Sequence, residues 1–270
     1  MSSHRPRKRF GQHFLRDRGV IENIIEVVHA QATDVLLEIG PGEGVLTHRL
    51  AEQCLQLHAI EIDRDLARSL IVHYADQAKI HIHQMDALQF DICSVAPDQQ
   101  KLRLVGNLPY NVSTPLLFHF LRHASCIQDM HFMLQKEVVD RLVAEPGNKS
   151  YGRLSVITQL LCETESLFDI GPEAFQPPPK VWSSVIRMIP RETPMISAQQ
   201  IPRLEQLTQR VFSQRRKTLR KILQGSVTAG ELDSAGIESS RRPETLTLEE
   251  FMTLLELVSR AGKPVLDCLS

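Results

Sequence analysis

The chain has 270 residues, 42% apolar and 23% charged, with a net charge of -1. That composition supports one large domain, or one large and one small, and excludes wholesale disorder. The five cysteines (Cys54, Cys93, Cys126, Cys162, Cys268) are scattered without any C-x-x-C, so neither a disulfide frame nor a zinc site is expected. The average charge is silent about a polyanionic partner, but its distribution is not. Residues 1–18 carry Arg5, Arg7, Lys8, Arg9, Arg16 and Arg18 against Asp17 alone, and residues 203–221 carry seven basic residues against Glu205 alone. Two basic patches on a neutral chain predict a sided surface. The first patch precedes no apolar stretch, and no apolar run reaches about 18 residues. A cytoplasmic protein with no membrane anchor is the expectation.

In chain order, Val20 to Val28 reads as an amphipathic helix, with Ile21, Ile24, Ile25 and Val28 on one side. Strands are predicted at 35–39 (VLLEI), 57–62 (LHAIEI), 80–84 (IHIHQ), 102–106 (LRLVG) and 130–134 (MHFML), alternating with helix-period stretches. This alternation predicts a parallel α/β sheet with helices on both faces. Later runs at 166–170 and 181–189 read as two strands forming an antiparallel edge, the second placing Trp182 in the core. Seven of the fifteen prolines lie between Gly171 and Pro202, including Pro177-Pro178-Pro179, and mark a change of character. Beyond them the pattern is helical, with Leu204, Leu207 and Val211 in register and Thr247-Leu248-Glu249-Glu250 reading as a capping box. The division predicted is an α/β domain over 1–194 and a small all-α domain over 195–270.

Three strand ends carry chemistry. After the first, Gly40-Pro41-Gly42-Glu43-Gly44 opens a helix, and glycines there let backbone approach a ligand at a helix N-terminus. A dinucleotide fingerprint would need glycine at position 45, which is Val45; G-x-G-x-G is the form used by S-adenosylmethionine methyltransferases. Glu61 ends the second strand about 20 residues on, where an acid accepts from ribose hydroxyls. Asp86 follows the third strand as a partner for the adenine amino group of such a cofactor. By itself each residue is also readable as a turn glycine or a solvated acid.

The fourth strand ends in Asn107-Leu108-Pro109-Tyr110. An exocyclic adenine amine is a poor nucleophile, so a catalyst must hold its hydrogens on acceptors and aim its lone pair at an electrophilic methyl. The Asn107 side-chain oxygen is one acceptor. The Leu108 carbonyl, extended before a proline, is a second, and Tyr110 offers a face for base stacking. His119 and His123, four apart on a predicted helix, could bind metal only with a third ligand, and no metal site is predicted. His81 and His83 alternate on a strand and read as solvent-side residues.

Phe10-Gly11-Gln12-His13-Phe14-Leu15, Glu38-Ile39-Gly40-Pro41-Gly42, Asn107-Leu108-Pro109-Tyr110-Asn111-Val112, Leu134-Gln135-Lys136-Glu137-Val138, Tyr151-Gly152-Arg153-Leu154-Ser155 and Phe175-Gln176-Pro177-Pro178-Pro179-Lys180-Val181 together resemble the ribosomal RNA adenine N6,N6-dimethyltransferases, most closely their bacterial small-subunit branch. The match runs through Gln214-Arg215-Arg216-Lys217-Thr218 and covers essentially the whole chain. The resemblance implies a Rossmann-like methyltransferase domain using S-adenosylmethionine to dimethylate two adjacent adenosines near the 3′ end of small-subunit rRNA in a pre-ribosomal subunit. It implies cofactor contacts at His13, Leu15, Gly40, Gly42, Glu61, Asp86 and Asn107. It implies a reaction site of Asn107, Leu108, Tyr110 and Phe175, the two rings sandwiching the base. RNA contacts are expected at Arg7, Lys8, Arg9, Arg215, Arg216, Lys217, Arg220 and Lys221, in a monomer. The family usually has asparagine where this chain has His13. Two rivals are a non-catalytic RNA-binding assembly factor and a resistance-type methyltransferase of large-subunit rRNA. The glycine loop, Glu61 and Asn107 stand against the first; Gly40-Pro41-Gly42, Gln135-Lys136-Glu137 and the triple proline stand against the second. A nicotinamide dehydrogenase lacks its glycine at position 45.

Overall fold

A computed structural model describes residues 12–98 and 100–260. The elements in order are β1 (Phe14–Leu15), α1 (Arg18–Val28), β2 (Val35–Ile39), α2 (Val45–Gln53), β3 (Gln56–Glu61), α3 (Arg64–His73), β4 (Ile80–Gln84), β5 (Leu102–Asn107), α4 (Ser113–Arg122), β6 (Ile127–Gln135), α5 (Lys136–Leu142), α6 (Arg153–Leu161), β7 (Cys162–Ile170), β8 (Phe175–Gln176), β9 (Ser183–Pro190), α7 (Ile201–Ser213), α8 (Leu219–Ile222), α9 (Ala229–Ser234) and α10 (Leu248–Arg260). Each of the seven strands predicted from sequence is present, two of them with the predicted bounds and the others with ends moved by at most four residues.

The main sheet runs β4-β3-β2-β5-β6-β9-β7. Pairs β3–β4, β2–β3, β2–β5 and β5–β6 are parallel, and β9 returns antiparallel to β6. Central β2 is buried along its whole length, as its run, apolar but for Glu38, suits between two parallel neighbours. The chain leaves β2 to one side through β3 and later returns to its other side as β5, so β2 and β5 flank a topological switch point, where open α/β sheets bind ligands. Register places Ile39 opposite both Ile60 and Gly106, and Glu61 opposite Gln84. One line across the sheet therefore gathers the loops that begin at Gly40, Ile62, Met85 and Leu108. Gly106 is obligatory in this register, because a Cβ there would meet the Ile39 carbonyl oxygen at 2.4 Å.

Helix ends follow local chemistry. Asp17 caps α1 by accepting from the Val20 N–H at 2.9 Å, and Asp63 caps α3 through the Asp65 N–H at 3.0 Å. At α10 the predicted capping box forms: Thr247 Oγ1 accepts from the Glu250 N–H at 3.2 Å, and Glu250 returns an oxygen to the Thr247 N–H at 2.8 Å. At the far end of β5, the buried Arg103 guanidinium bonds Asp129 at 2.9 Å, Asp34 at 2.7 Å and the Val28 carbonyl at 2.6 Å. It ties three segments distant in sequence.

The chain divides into two compact units. The first joins residues up to Val139 with Glu165–Pro190, and the second joins Asp140–Thr164 with residues from Arg191 onward. The second is thus discontinuous and does not begin simply at 195. Helix α6 buries Val156, Ile157, Leu160 and Leu161 against α7 and α10, which draws 140–164 into the helical unit. Tyr151 is fully buried there and donates its hydroxyl to the Leu246 carbonyl at 3.0 Å.

Three expectations are corrected. Cys93 and Cys126 are joined in a disulfide across 33 residues, a pairing that the spacing could not announce because it depends on the close approach of the segment after β4 to the end of α4. Cys54 and Cys162 are free and buried, and Cys268 lies outside the described residues. Trp182 is 54% exposed, since β9 starts one residue later at Ser183. His81 and His83 are half-buried rather than solvent-side, their rings stacking on His58 at 4.8 and 5.3 Å. No helix among the described residues is long and apolar enough to cross a membrane.

Candidate functional site

At the switch point the first unit holds a cavity of about 280 Å³, lined by residues at the ends of β2, β3, β4 and β5 and by the segment entering β1. Of the predicted cofactor residues, His13, Leu15, Gly40, Gly42, Glu61, Asp86 and Asn107 all line it, as do Leu108 and Tyr110. Four strand ends, far apart in sequence, meet at one opening.

The glycine loop is built for close approach. Gly40, Gly42 and Gly44 have φ of 68°, 60° and 82°, the left-handed region where a side chain is strained. A Cβ on Gly42 would also meet the Phe14 ring at 3.2 Å. Glu61 reaches back to this loop. One carboxylate oxygen accepts from the Gly42 N–H at 3.1 Å, the other from the Asp63 N–H at 2.8 Å. Burial pushes its carboxyl up to about 7, against the pull of those two N–H donors. Glu38 on β2, fully enclosed, accepts from the Thr47 hydroxyl at 2.6 Å and is likewise raised to about 7, by burial and by the neighbouring Glu61. Asp86 caps the turn Ala87–Gln89 by accepting from the Leu88 N–H at 3.0 Å.

At the β5 end, Asn107 Nδ2 donates to the His13 carbonyl at 3.1 Å. With its amino group so engaged, the side chain keeps Oδ1 as an acceptor. The Leu108 N–H donates to the Met133 carbonyl at 3.1 Å, fixing the Asn107–Leu108 peptide. The Tyr110 hydroxyl lies 2.6 Å from Ser183 Oγ, and burial raises its phenol above the ordinary value, partly offset by that bond. The His13 ring stacks on Tyr110 with centroids 5.7 Å apart and 26° between planes. Its Nδ1 is 2.7 Å from the Pro177 carbonyl, a bond that joins the N-terminal segment to the proline run. At the same edge of the site Arg16 pairs with Glu43 at 2.5 Å.

Phe175 does not line the cavity. It pairs with Leu15 in the β1–β8 ladder and is 4% exposed within the core cluster that contains Ile25, Val28, Met133 and Val185. The expected sandwich of Tyr110 and Phe175 therefore does not form; burial of an apolar ring won over its nearness in motif. Arg7, Lys8 and Arg9 lie outside the described residues. In the second unit Arg216, Lys217, Arg220 and Lys221 are exposed, while Arg215 is half-buried and bonds the Asn148 carbonyl at 3.3 Å. The His119 and His123 rings lie 4.7 Å apart, tilted at 59°, with no metal-holding group of three ligands among the described residues.

The sequence reading assigned no role to Glu38, Gln12, Thr47 or Ser183. Gln12 donates to Asp63 at 3.3 Å, and Ser183 holds the Tyr110 hydroxyl from a strand 73 residues later. Only Glu38 had a legible signal, an acid inside a strand otherwise apolar.

A family model for ribosomal RNA adenine dimethylase matches residues 3–260. The ribosomal RNA small subunit methyltransferase A of Pseudomonas syringae pv. syringae (strain B728a) is 49% identical over 256 residues, 95% of this chain and 96% of that protein. Its Nitrosococcus oceani counterpart is 49% identical over 251 residues, 93% and 95% of the two chains. Among solved structures, the dimethyladenosine transferase from Plasmodium falciparum shares the fold, with a TM-score of 0.78 at 24% identity over 93% of this chain and 98% of that one. The 23S rRNA methyltransferase ErmE gives 0.67 at 27% identity, covering 91% and 99%. The Rossmann-like sheet, the glycine loop and the Asn107-Leu108-Pro109-Tyr110 strand end thus occur in a chain matched along nearly its whole length, and the protein belongs to the ribosomal RNA adenine dimethylase family.

Proposed function

We propose that the protein uses S-adenosylmethionine to dimethylate N6 of two adjacent adenosines near the 3′ end of small-subunit rRNA, acting as a cytoplasmic monomer on a late pre-ribosomal small subunit. The observation that carries the reading is the Asn107 amide. Its nitrogen donates to the His13 carbonyl, leaving its oxygen as an acceptor in a cavity that the glycine loop, Glu61 and Asp86 also line. The small-subunit relatives, near half identical, favour this substrate over large-subunit rRNA, where ErmE is 27% identical.

The residues fit the cofactor by their own chemistry. A loop on which a Cβ would strike Phe14 accommodates a ligand against bare backbone, and Glu61, buried yet raised only to about 7, is an acceptor for paired ribose hydroxyls. Asp86 would take the adenine amino group, with His13, Leu15, Gly40 and Gly42 enclosing the remainder. When bound, S-adenosylmethionine supplies a methyl on a positively charged sulfonium, an electrophile strong enough for a neutral amine. Asn107 Oδ1 and the Leu108 carbonyl accept the amine hydrogens and aim its lone pair; Tyr110 carries the base on its face. These residues supply orientation rather than a general base. Phe175 would then act at one remove, holding Leu15 and the His13 segment through the short β1–β8 ladder.

Asn107→Ala tests this directly. Incubated with labelled cofactor and unmethylated small subunits, the variant should lose methyl transfer at least about 100-fold, the loss expected when orientation fails, while binding the subunit normally. Near-normal turnover would remove Asn107 from the reaction.

A further inference from the structure

Trp182 is the chain's single tryptophan, and it stands 54% exposed beside Val181 at 43%. Its backbone is held from its carbonyl onward. The Trp182 carbonyl accepts from the Lys136 N–H at 2.9 Å, and the next residue, Ser183, opens β9 opposite Gln135. A pinned main chain carrying a solvent-facing indole is an arrangement for contact with something outside the chain, since folding alone would gain by burying so large an apolar ring. The place is specific. Ser183 is also the residue whose hydroxyl holds Tyr110 at 2.6 Å, and consecutive Cα atoms are about 3.8 Å apart. Trp182 therefore stands one residue from the support of the ring proposed to carry the target base.

The patch is also small and cationic at its flank. Lys180, exposed, lies two residues before the indole. The other large exposed apolar side chains among the described residues, Leu55, Ile62, Ile71 and Val72, belong to the surroundings of α3 and β3. Two side chains fall far short of the roughly 800 Å² per partner of a standard protein interface, whereas a single aromatic face with a neighbouring cation suits one nucleotide of an unpaired strand.

We infer that Trp182 is a stacking platform for the base adjoining the target adenosine in single-stranded rRNA, with Lys180 meeting the phosphate between them. The inference rests on the methyl-transfer reading, and it gives a substrate with two adjacent targets a second holding point: while one base occupies the cavity, its neighbour lies on the indole. Trp182 is thus a positioning residue that acts on RNA and not on the cofactor.

Because no other tryptophan is present, indole fluorescence of the full-length protein reads this site alone. Titration with an unmethylated rRNA loop fragment containing the adjacent adenosines should quench it to saturation, and S-adenosylmethionine alone should leave it unchanged. Trp182→Ala should weaken binding of that fragment, and raise the KM for unmethylated small subunits, by about 5- to 150-fold, the equivalent of roughly 1 to 3 kcal/mol of stacking. Its kcat and cofactor affinity should stay within about twofold of the wild type, and Trp182→Phe should recover most of the loss. Unquenched fluorescence with a fragment that binds, or an unchanged KM in Trp182→Ala, overturns the assignment. So does a defect seen with intact subunits and absent with the naked fragment, which would assign the indole to a ribosomal protein. A wild-type protein that methylates neither substrate counts against the reading of the reaction instead, and the quenching titration still decides the role of Trp182.

Discussion

Replacing Glu61 by glutamine keeps the side-chain volume and removes its proton equilibrium. The carboxyl is 5% exposed, and burial lifts it from 4.5 to about 7 despite two N–H donors. At about 1.36 kcal/mol for each unit of pH, that gap corresponds to about 3 kcal/mol. The folded protein holds this proton more tightly than the unfolded chain. Its contribution to stability is therefore complete below about 4.5 and is lost as pH rises through about 7. In urea unfolding at about pH 5 and about pH 8, the wild type should lose stability between the two, and Glu61→Gln should lose less, by up to about 3 kcal/mol. Glutamine offers one oxygen to the Gly42 and Asp63 N–H groups, so the variant should also be about 1 kcal/mol weaker at both pH values. The fall between them is thus the quantity to compare. Glu38 titrates over the same window and leaves a residual slope. The same proton bears on the ligand: an ionised Glu61 accepts from ribose hydroxyls, so cofactor affinity should rise as pH passes through about 7. Equal falls in stability for the two proteins would refute the account of a buried, proton-holding Glu61.

Arg103→Met would strand Asp34 and Asp129 in the interior without their guanidinium partner, a loss of about 3 to 5 kcal/mol in chemical unfolding; a change below about 1 kcal/mol would mean the cluster is solvated. In the second unit, Arg216→Gln with Lys217→Gln removes two exposed cations. It should lower the log-log salt dependence of RNA binding by about 1.4 to 1.8, depending on whether the contacted RNA is single- or double-stranded, and an unaltered slope would relegate those residues to a solvated face.

Much of this was legible before any coordinates. Short, largely apolar runs such as VLLEI, alternating with helix-period stretches, read as strands buried on both faces, and turn residues at their ends marked where each stops. Gly40-Pro41-Gly42, Glu61, Asp86 and Asn107 could be assembled into one site from sequence because a parallel sheet brings the carboxyl ends of its strands to one edge. The capping box at Thr247 was likewise local chemistry, read correctly from four letters.

What the sequence could not hold is what depends on which side chains meet. Phe175 sits in a motif beside the predicted site, yet its ring is taken by the core around Val28 and Met133, because a short strand pair with Leu15 turns it inward. Trp182 reads as core from its place in an apolar strand run, and a start of β9 two residues later than predicted leaves it in solvent. The Cys93–Cys126 bond, the pairing of Tyr110 with Ser183 and the joining of 140–164 to the helical unit are all long-range juxtapositions. Periodicity fixes how each segment is shaped and which face is apolar; only the assembled sheet and its packed helices decide which faces find each other.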